Sequence, residues 1–455
     1  METPPVITPP VMEPAPSPEE AAKRGGGLRW LWRAACFPVK FLFGLVFCQG
    51  LLMSLLVLGW AYRLAQRTAI KHWWKRSDHR SGGGTFEEFL GSDESIAGHR
   101  DWPNWFVEQR FISLFRTPED GNWGGRIWDI FRGFTAGLRR NLVIGIQGAF
   151  NLALLTLPAG LLWWFGWDYG WNISFYKGYE QALIGTGVFA VGGLLFIGTM
   201  FYLPLAQARQ AVTGDWRSFW NIDLVIRILR SQWIWVLLLS GLLALLCVPV
   251  LILKTAPQFL SESANIETIE QAIEYVTGYA YSAAAFVLPA FVLLRVLAAK
   301  IYAHGILRAV QERHVDLAEL APTEREILQR LNLHEGKPPV LEHWYWKIAR
   351  WMGSRVGQFF AASVLFWVWV AVIVAVVLSE FLAYHETGRG WWNQQLIQLP
   401  WFDYMPTHIA ANPEHGQPTI AAQVGRTLFL ATGWMTLRYG YQFVTDLIAK
   451  RKLPE

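Results

Sequence analysis

Charge is scarce in this sequence. Only 16% of its 455 residues are Asp, Glu, Lys or Arg, against about 25% in a soluble globular chain. The deficit sits in long apolar blocks, which excludes an ordinary water-soluble domain. Cysteine is scarcer still: Cys36, Cys48 and Cys247 are the only three, all in or beside apolar runs. With no CxxC and no Cys/His cluster, neither a disulfide framework nor a structural zinc site is expected. Ten histidines occur, none in HExxH or HxH spacing, so no metal centre is expected either. Gly185-Thr186-Gly187 opens a partial glycine-rich motif, but it follows no strand and lies inside an apolar helix, so dinucleotide binding is rejected. No cofactor is expected, and no catalytic constellation stands out. The sequence therefore points to a non-enzymatic protein.

What is abundant is apolar and aromatic. Hydrophobic residues make up 53%, and there are 26 tryptophans; mean hydropathy is +0.23. Trp and Tyr favour the membrane–water boundary, where the ring lies among headgroups and its polar edge stays wet. Membrane segments are read at 37–62, 142–166, 182–208, 233–254, 279–303, 357–384 and 424–446, since a helix needs about 20 apolar residues to span. The last holds Arg426, Thr432, Thr436 and Arg438 and is weaker. The expected fold is an all-α integral membrane protein. It is a polytopic bundle of about six or seven transmembrane helices with interfacial amphipathic helices on the cytoplasmic side.

Loop charge sets the orientation. The 63–141, 209–232 and 304–356 stretches and the tail Lys450, Arg451, Lys452 are basic; 167–181 is nearly neutral, 255–278 acidic, and 385–423 poor in Lys and Arg. By the positive-inside rule the first group and the C-terminus are cytoplasmic. This places the chain in a prokaryotic cytoplasmic membrane, with the bilayer as its partner and other membrane proteins as a further class. The net charge of +5 follows from the same rule and calls for no nucleic-acid partner. Both flanks of the first segment are basic, so 28–62 reads either as one span or as a broken, re-entrant or interfacial hairpin; Gln49 and Gly50 suit a break.

Residues 1–27 are a Pro-rich tail expected to be disordered. Then come a first membrane segment (28–63), a cytoplasmic or interfacial loop (64–127), two repeated hairpins (128–310), a linker (311–342), and a third hairpin (343–455) with an extracytoplasmic loop at 385–423. The repeat shows in Trp128 with Trp220, Arg139 with Arg230 and Pro158 with Pro249, each pair about 90 residues apart. Pro204 and Pro289 lie in the returning helices. Basic and aromatic residues in 128–134 and 344–351 predict short helices lying in the interface. Thr323 and Glu326 predict a capping box opening a linker helix. Gly145, Ala149 and Ala153 place small residues on one face, which predicts close helix packing.

Gly59-Trp60-Ala61-Tyr62-Arg63 resembles the glycine–tyrosine–arginine exit of the first helix in a domain-of-unknown-function family of polytopic membrane proteins from bacteria and archaea. Asp101-Trp102-Pro103-Asn104-Trp105, Ala136-Gly137-Leu138 and Tyr202-Leu203-Pro204-Leu205-Ala206 fit the same pattern over roughly 40–310, with 64–100 as an insertion. The resemblance implies an architecture of Pro-containing hairpins and carries no activity.

Three polar residues within the apolar segments are the candidate site. Gln147 and Asn151 share a helix face, and Arg295 lies inside the fifth segment. A buried amide in hydrocarbon needs a partner, and an intramembrane charge is a functional marker. Arg295, like Arg63, Arg209 and Arg438, stands near a helix exit and is expected to snorkel, so that leucine there would cost little. The leading functional class is a membrane scaffold or assembly subunit. The alternative is a transporter or channel-like protein for a small polar or anionic substrate, marked by Gln147, Asn151 and Arg295 facing one wet cavity.

Overall fold

The computed structural model describes residue 38 and residues 41–77, 85–91, 103–104, 107–108, 123–167, 180–260, 268–333, 344–383 and 393–401. The chain divides into two units, Met1–Gly44 and Leu45–Glu455, and the second holds every element from Leu51 onward and the candidate site. The tail 1–27, the segment 424–446 with Arg426 and Arg438, the loop 168–179 and the basic C-terminus lie outside the described residues.

The elements are α1 (Leu51–Trp74), α2 (Phe86–Gly91), a two-residue antiparallel ladder of β1 (Pro103–Asn104) and β2 (Val107–Glu108), α3 (Trp123–Trp167), α4 (Glu180–Thr213), α5 (Ile222–Ser231), α6 (Trp233–Leu260), α7 (Ile269–Gln311), α8 (Pro322–Arg330) and α9 (Trp344–Ala383). Five stretches are long and apolar enough to cross a membrane: Ala136–Gly166, Leu183–Thr213, Trp233–Leu253, Gly278–Gln311 and Trp351–Val374. The fold is that of an all-α, multi-pass membrane protein.

The first apolar segment ends later than its sequence reading. A turn at Cys48 and Gln49 and a bend at Gly50 interrupt it, and α1 then runs on past Arg63 and Arg67 to Trp74. It is not one of the five lipid-type helices. It is the central one, packed against α3, α4 and α7. Each neighbour is also tied to it by a hydrogen bond. Arg63 donates to Asn141 Oδ1 of α3 at 3.3 Å, Gln66 to the Val212 carbonyl of α4 at 3.0 Å, and Trp73 Nε1 to the Ala303 carbonyl of α7 at 2.8 Å. Buried amides and guanidinium groups are held this way because hydrocarbon offers no water to replace a lost partner.

Close approach of α1 and α3 rests on two glycines. A Cβ on Gly59 would lie 1.8 Å from the Asn141 carbonyl oxygen, and one on Gly145 would lie 1.9 Å from that of Leu55. Gly148 is covered by the Tyr62 ring at 2.9 Å. The small-residue face therefore runs through Gly145 and Gly148. Ala153, expected on it, is exposed.

Two further expectations shift register. The aromatic–basic stretches 128–134 and 344–351 are not separate helices; they lie in the N-terminal parts of α3 and α9. At 45 residues α3 is about 68 Å long at 1.5 Å per residue, far more than the ~30 Å hydrocarbon core. Its N-terminal part therefore projects beyond it. By contrast α5 is a separate short helix, because the chain turns at Gln232 before α6. The start of the linker helix also moves by two residues, and only one arm of a capping box forms. Pro322 opens α8, and Glu324 accepts from the Ala321 N–H at 3.2 Å, while Thr323 donates to the Thr213 carbonyl at 3.4 Å. Left-handed residues Arg313 (φ 56°) and Asn332 (φ 52°) follow the ends of α7 and α8, as helix C-caps do. The repeat is uneven in packing: α3 lies chiefly against its own return helix α4, whereas α6 lies chiefly against α9.

Candidate functional site

The polar interior is built where α1, α3, α4 and α7 meet. Arg63, Arg209 and Arg295 are 4%, 2% and 5% exposed. None snorkels to a surface, contrary to the sequence expectation, because each helix continues past its arginine and neighbours cover it.

Arg295 stands about midway along the apolar stretch Gly278–Gln311. Its Nη1 donates to the Leu396 carbonyl at 2.5 Å and its Nη2 to the Ile397 carbonyl at 2.6 Å. The Phe291 ring centroid lies 3.9 Å from its guanidinium carbon, a cation–π contact. These carbonyls belong to 393–401, which sequence reading left inside an extracytoplasmic loop. It enters the bundle instead: Gln395 through Pro400 are all buried. Non-helical backbone survives among apolar helices only when protein satisfies it, and here it does. Gln207 of α4 donates to the Ile397 carbonyl at 3.2 Å, and Gln398 to Thr156 Oγ1 of α3 at 2.8 Å. The segment closes on itself through Asn393, whose Oδ1 accepts from the Leu399 N–H at 3.2 Å. The signal for this segment was present but short. Residues 391–402 carry no charge, yet are too few to span, so they read as loop.

Asn151 is a second centre. Its Nδ2 donates to Gln210 Oε1 at 3.0 Å and to the Trp216 carbonyl at 2.8 Å, and its Oδ1 accepts from Trp220 Nε1 at 3.0 Å. It ties α3 to the end of α4 and the turn beyond. Gln147, one turn earlier on α3, is half-buried. Arg295 and Asn151 share no hydrogen-bond partner among the described residues. The pocket beside 393–401, lined by Trp163, Phe196, Trp369 and Gln395 among others, holds about 20 Å³, roughly room for one water.

Arg209 is different. Its Nε and Nη1 are buried with no partner, and among the described residues it makes no ion pair. Its charge acts on Glu324, fully buried at the foot of α8. Glu324 accepts from Tyr302 Oη at 2.5 Å and from the Ala321 N–H. Burial pushes its carboxyl above the usual carboxylate range, against the opposing pull of Arg209, Tyr302 and Ala321. A group raised on folding favours the folded state while protonated, so its contribution is full below the ordinary carboxylate value and is lost as pH rises through the raised one. Hydrogen exchange of 317–333, corrected for intrinsic rates, should thus show protection falling as pH rises, and Glu324→Gln should flatten the profile. A pH-independent wild type would refute this.

Among the described residues no three His, Cys, Asp or Glu side chains gather where a metal could be held. Compared with family models, curated proteins and solved structures, the chain matches none.

Proposed function

We propose that this chain is a non-enzymatic, multi-pass protein of a prokaryotic cytoplasmic membrane, serving as a scaffold or accessory subunit. The observation that carries this reading is that most of the buried polar side chains around 393–401 and Asn151 are spent on holding the bundle together. Asn151, Gln207, Arg295 and Gln398 are engaged by neighbouring helices or by 393–401, and the adjoining pocket has room for about one water. Outside, α9 presents Trp344, Trp351, Phe359, Phe360 and Trp367, each at least 60% exposed, an apolar face open to lipid or to another membrane protein. Extraction in mild detergent at native expression, followed by mass measurement, tests this. A stoichiometric complex with a second protein, heavier than the 51.9 kDa chain, supports it; a lone monomer or small homo-oligomer overturns it.

A second reading, a transporter or channel for a small anionic substrate, is favoured by one observation: the uncommitted Arg209 guanidinium inside an apolar bundle. Anion flux in proteoliposomes, lost on Arg209→Gln, would move the assignment there.

A further inference from the structure

A cluster of basic groups gathers at the end of α1, apart from the polar interior. His72 and Arg76 are four residues apart and share a face of the helix terminus; Lys300 and His304 do the same on α7. The two faces meet. Arg76 Nη1 donates to His304 Nδ1 at 2.5 Å, and the His72 and His304 rings pack edge to face with centroids 6.2 Å apart. The hydrogen bond from Trp73 Nε1 to the Ala303 carbonyl sets this register, so helix packing, not side-chain flexibility, brings the groups together. The charges acting on His72 come from Arg76, His304, Lys300 and Lys75, all basic. Those acting on His304 come from Arg76 and Arg308. Among the described residues no carboxylate pairs with Lys75, Arg76 or Lys300. His72 Nε2 is buried and has no partner, while Lys75, Arg76 and Lys300 reach the surface.

The positive-inside rule explains why basic residues stand near a membrane boundary. It does not explain why they face one another across two helices. Like charges held together repel, and at a boundary the group that relieves them is an anion accepting several N–H donors. We propose that Lys75, Arg76, Lys300 and the two histidines form a binding site for a phosphate group. The guanidinium N–H groups of Arg76 not given to His304 and two ammonium groups suit its several oxygens, and His72 Nε2 is a further unpartnered polar atom of the cluster. The phosphate belongs either to an anionic phospholipid headgroup or to a free phosphate, and both present the same oxygens.

The test uses the full chain in a neutral detergent. Binding of a short-chain phosphatidylglycerol and of a phosphatidylcholine of equal chain length is measured by native mass spectrometry, with inorganic phosphate as competitor. The wild type should prefer the anionic lipid by about tenfold or more. R76Q/K300Q should abolish that preference. R230Q/R313Q removes two exposed charges elsewhere on the same side and should retain it within about twofold. The single variants R76Q and K300Q, each with an exposed side chain, should fall between. Displacement by millimolar inorganic phosphate identifies free phosphate as the ligand; lack of displacement identifies the lipid headgroup. Equal binding by wild type and R76Q/K300Q, or an equal loss in R230Q/R313Q, overturns the site.

Discussion

Leucine at Arg295 is expected to release 393–401 from the bundle while most of the helices stay folded. The Leu396 carbonyl loses its donor, and the Ile397 carbonyl keeps only Gln207. Charge-assisted hydrogen bonds each contribute about 1.5–3 kcal/mol, and an orphaned buried carbonyl adds a desolvation cost. Opposing this, leucine removes a buried guanidinium that has no carboxylate partner among the described residues, and burying such a charge is costly. The balance is a destabilisation of the segment of about 2–4 kcal/mol. Limited proteolysis near Asn393–Trp401 should become fast in Arg295→Leu, with far-UV helicity kept. Gln207→Leu should do much less, because Arg295 still holds Ile397. If R295L leaves proteolysis of this segment at the wild-type rate, the arginine does not hold it in place.

Alanine at Gly145 or Gly59 is expected to be worse for the whole bundle. The atoms a methyl group would strike are the main-chain carbonyls of Leu55 and Asn141, at 1.9 and 1.8 Å. No rotamer change relieves a clash with backbone, so α1 and α3 must move apart. Separation also strains the hydrogen bond from Arg63 to Asn141, which spans the same crossing. Overpacking alone costs about 1–3 kcal/mol, and with the lost contacts the total should exceed about 3 kcal/mol. Gly198→Ala is the matched control: its Cβ meets nothing within 4 Å, and alanine is the better helix former by about 1 kcal/mol. Thermal unfolding in one detergent decides. A Gly145→Ala protein that melts with the wild type would mean that the helices do not cross at that distance.

The two cases show what the sequence made legible and what it did not. Apolar length and period marked the long helices, because a span must be apolar throughout. The break near Gln49 and Gly50 was visible as a polar and a flexible residue in one run. The role of α1 was not visible. Arg63, Arg67 and Lys71 read as a basic flank outside the membrane, and only tertiary partners show that the helix continues through them. Arg295 was found by its charge but misassigned, since the groups that hold it are main-chain carbonyls about a hundred residues away, and backbone leaves no mark in the sequence. Asn151 was found as a buried amide; its partners Gln210 and Trp220 could not be named, because pairing between distant helices has no local period. The burial of Arg209 near Glu324 was missed because the two lie on a long helix and a short linker helix that sequence treats as separate.

The position of α1 bears on how the protein is made. It emerges from the ribosome before every helix that holds it. Asn141 follows Arg63 by 78 residues, Val212 follows Gln66 by 146, and Ala303 follows Trp73 by 230. At about 5–20 residues per second, the last of these partners arrives roughly 10–50 s after Trp73 is made. For that interval a helix carrying a guanidinium, a glutamine and an indole N–H meant for other helices has no partners of its own. The insertion machinery must shelter it or let it rest at the boundary, and the bundle then closes around α1 last.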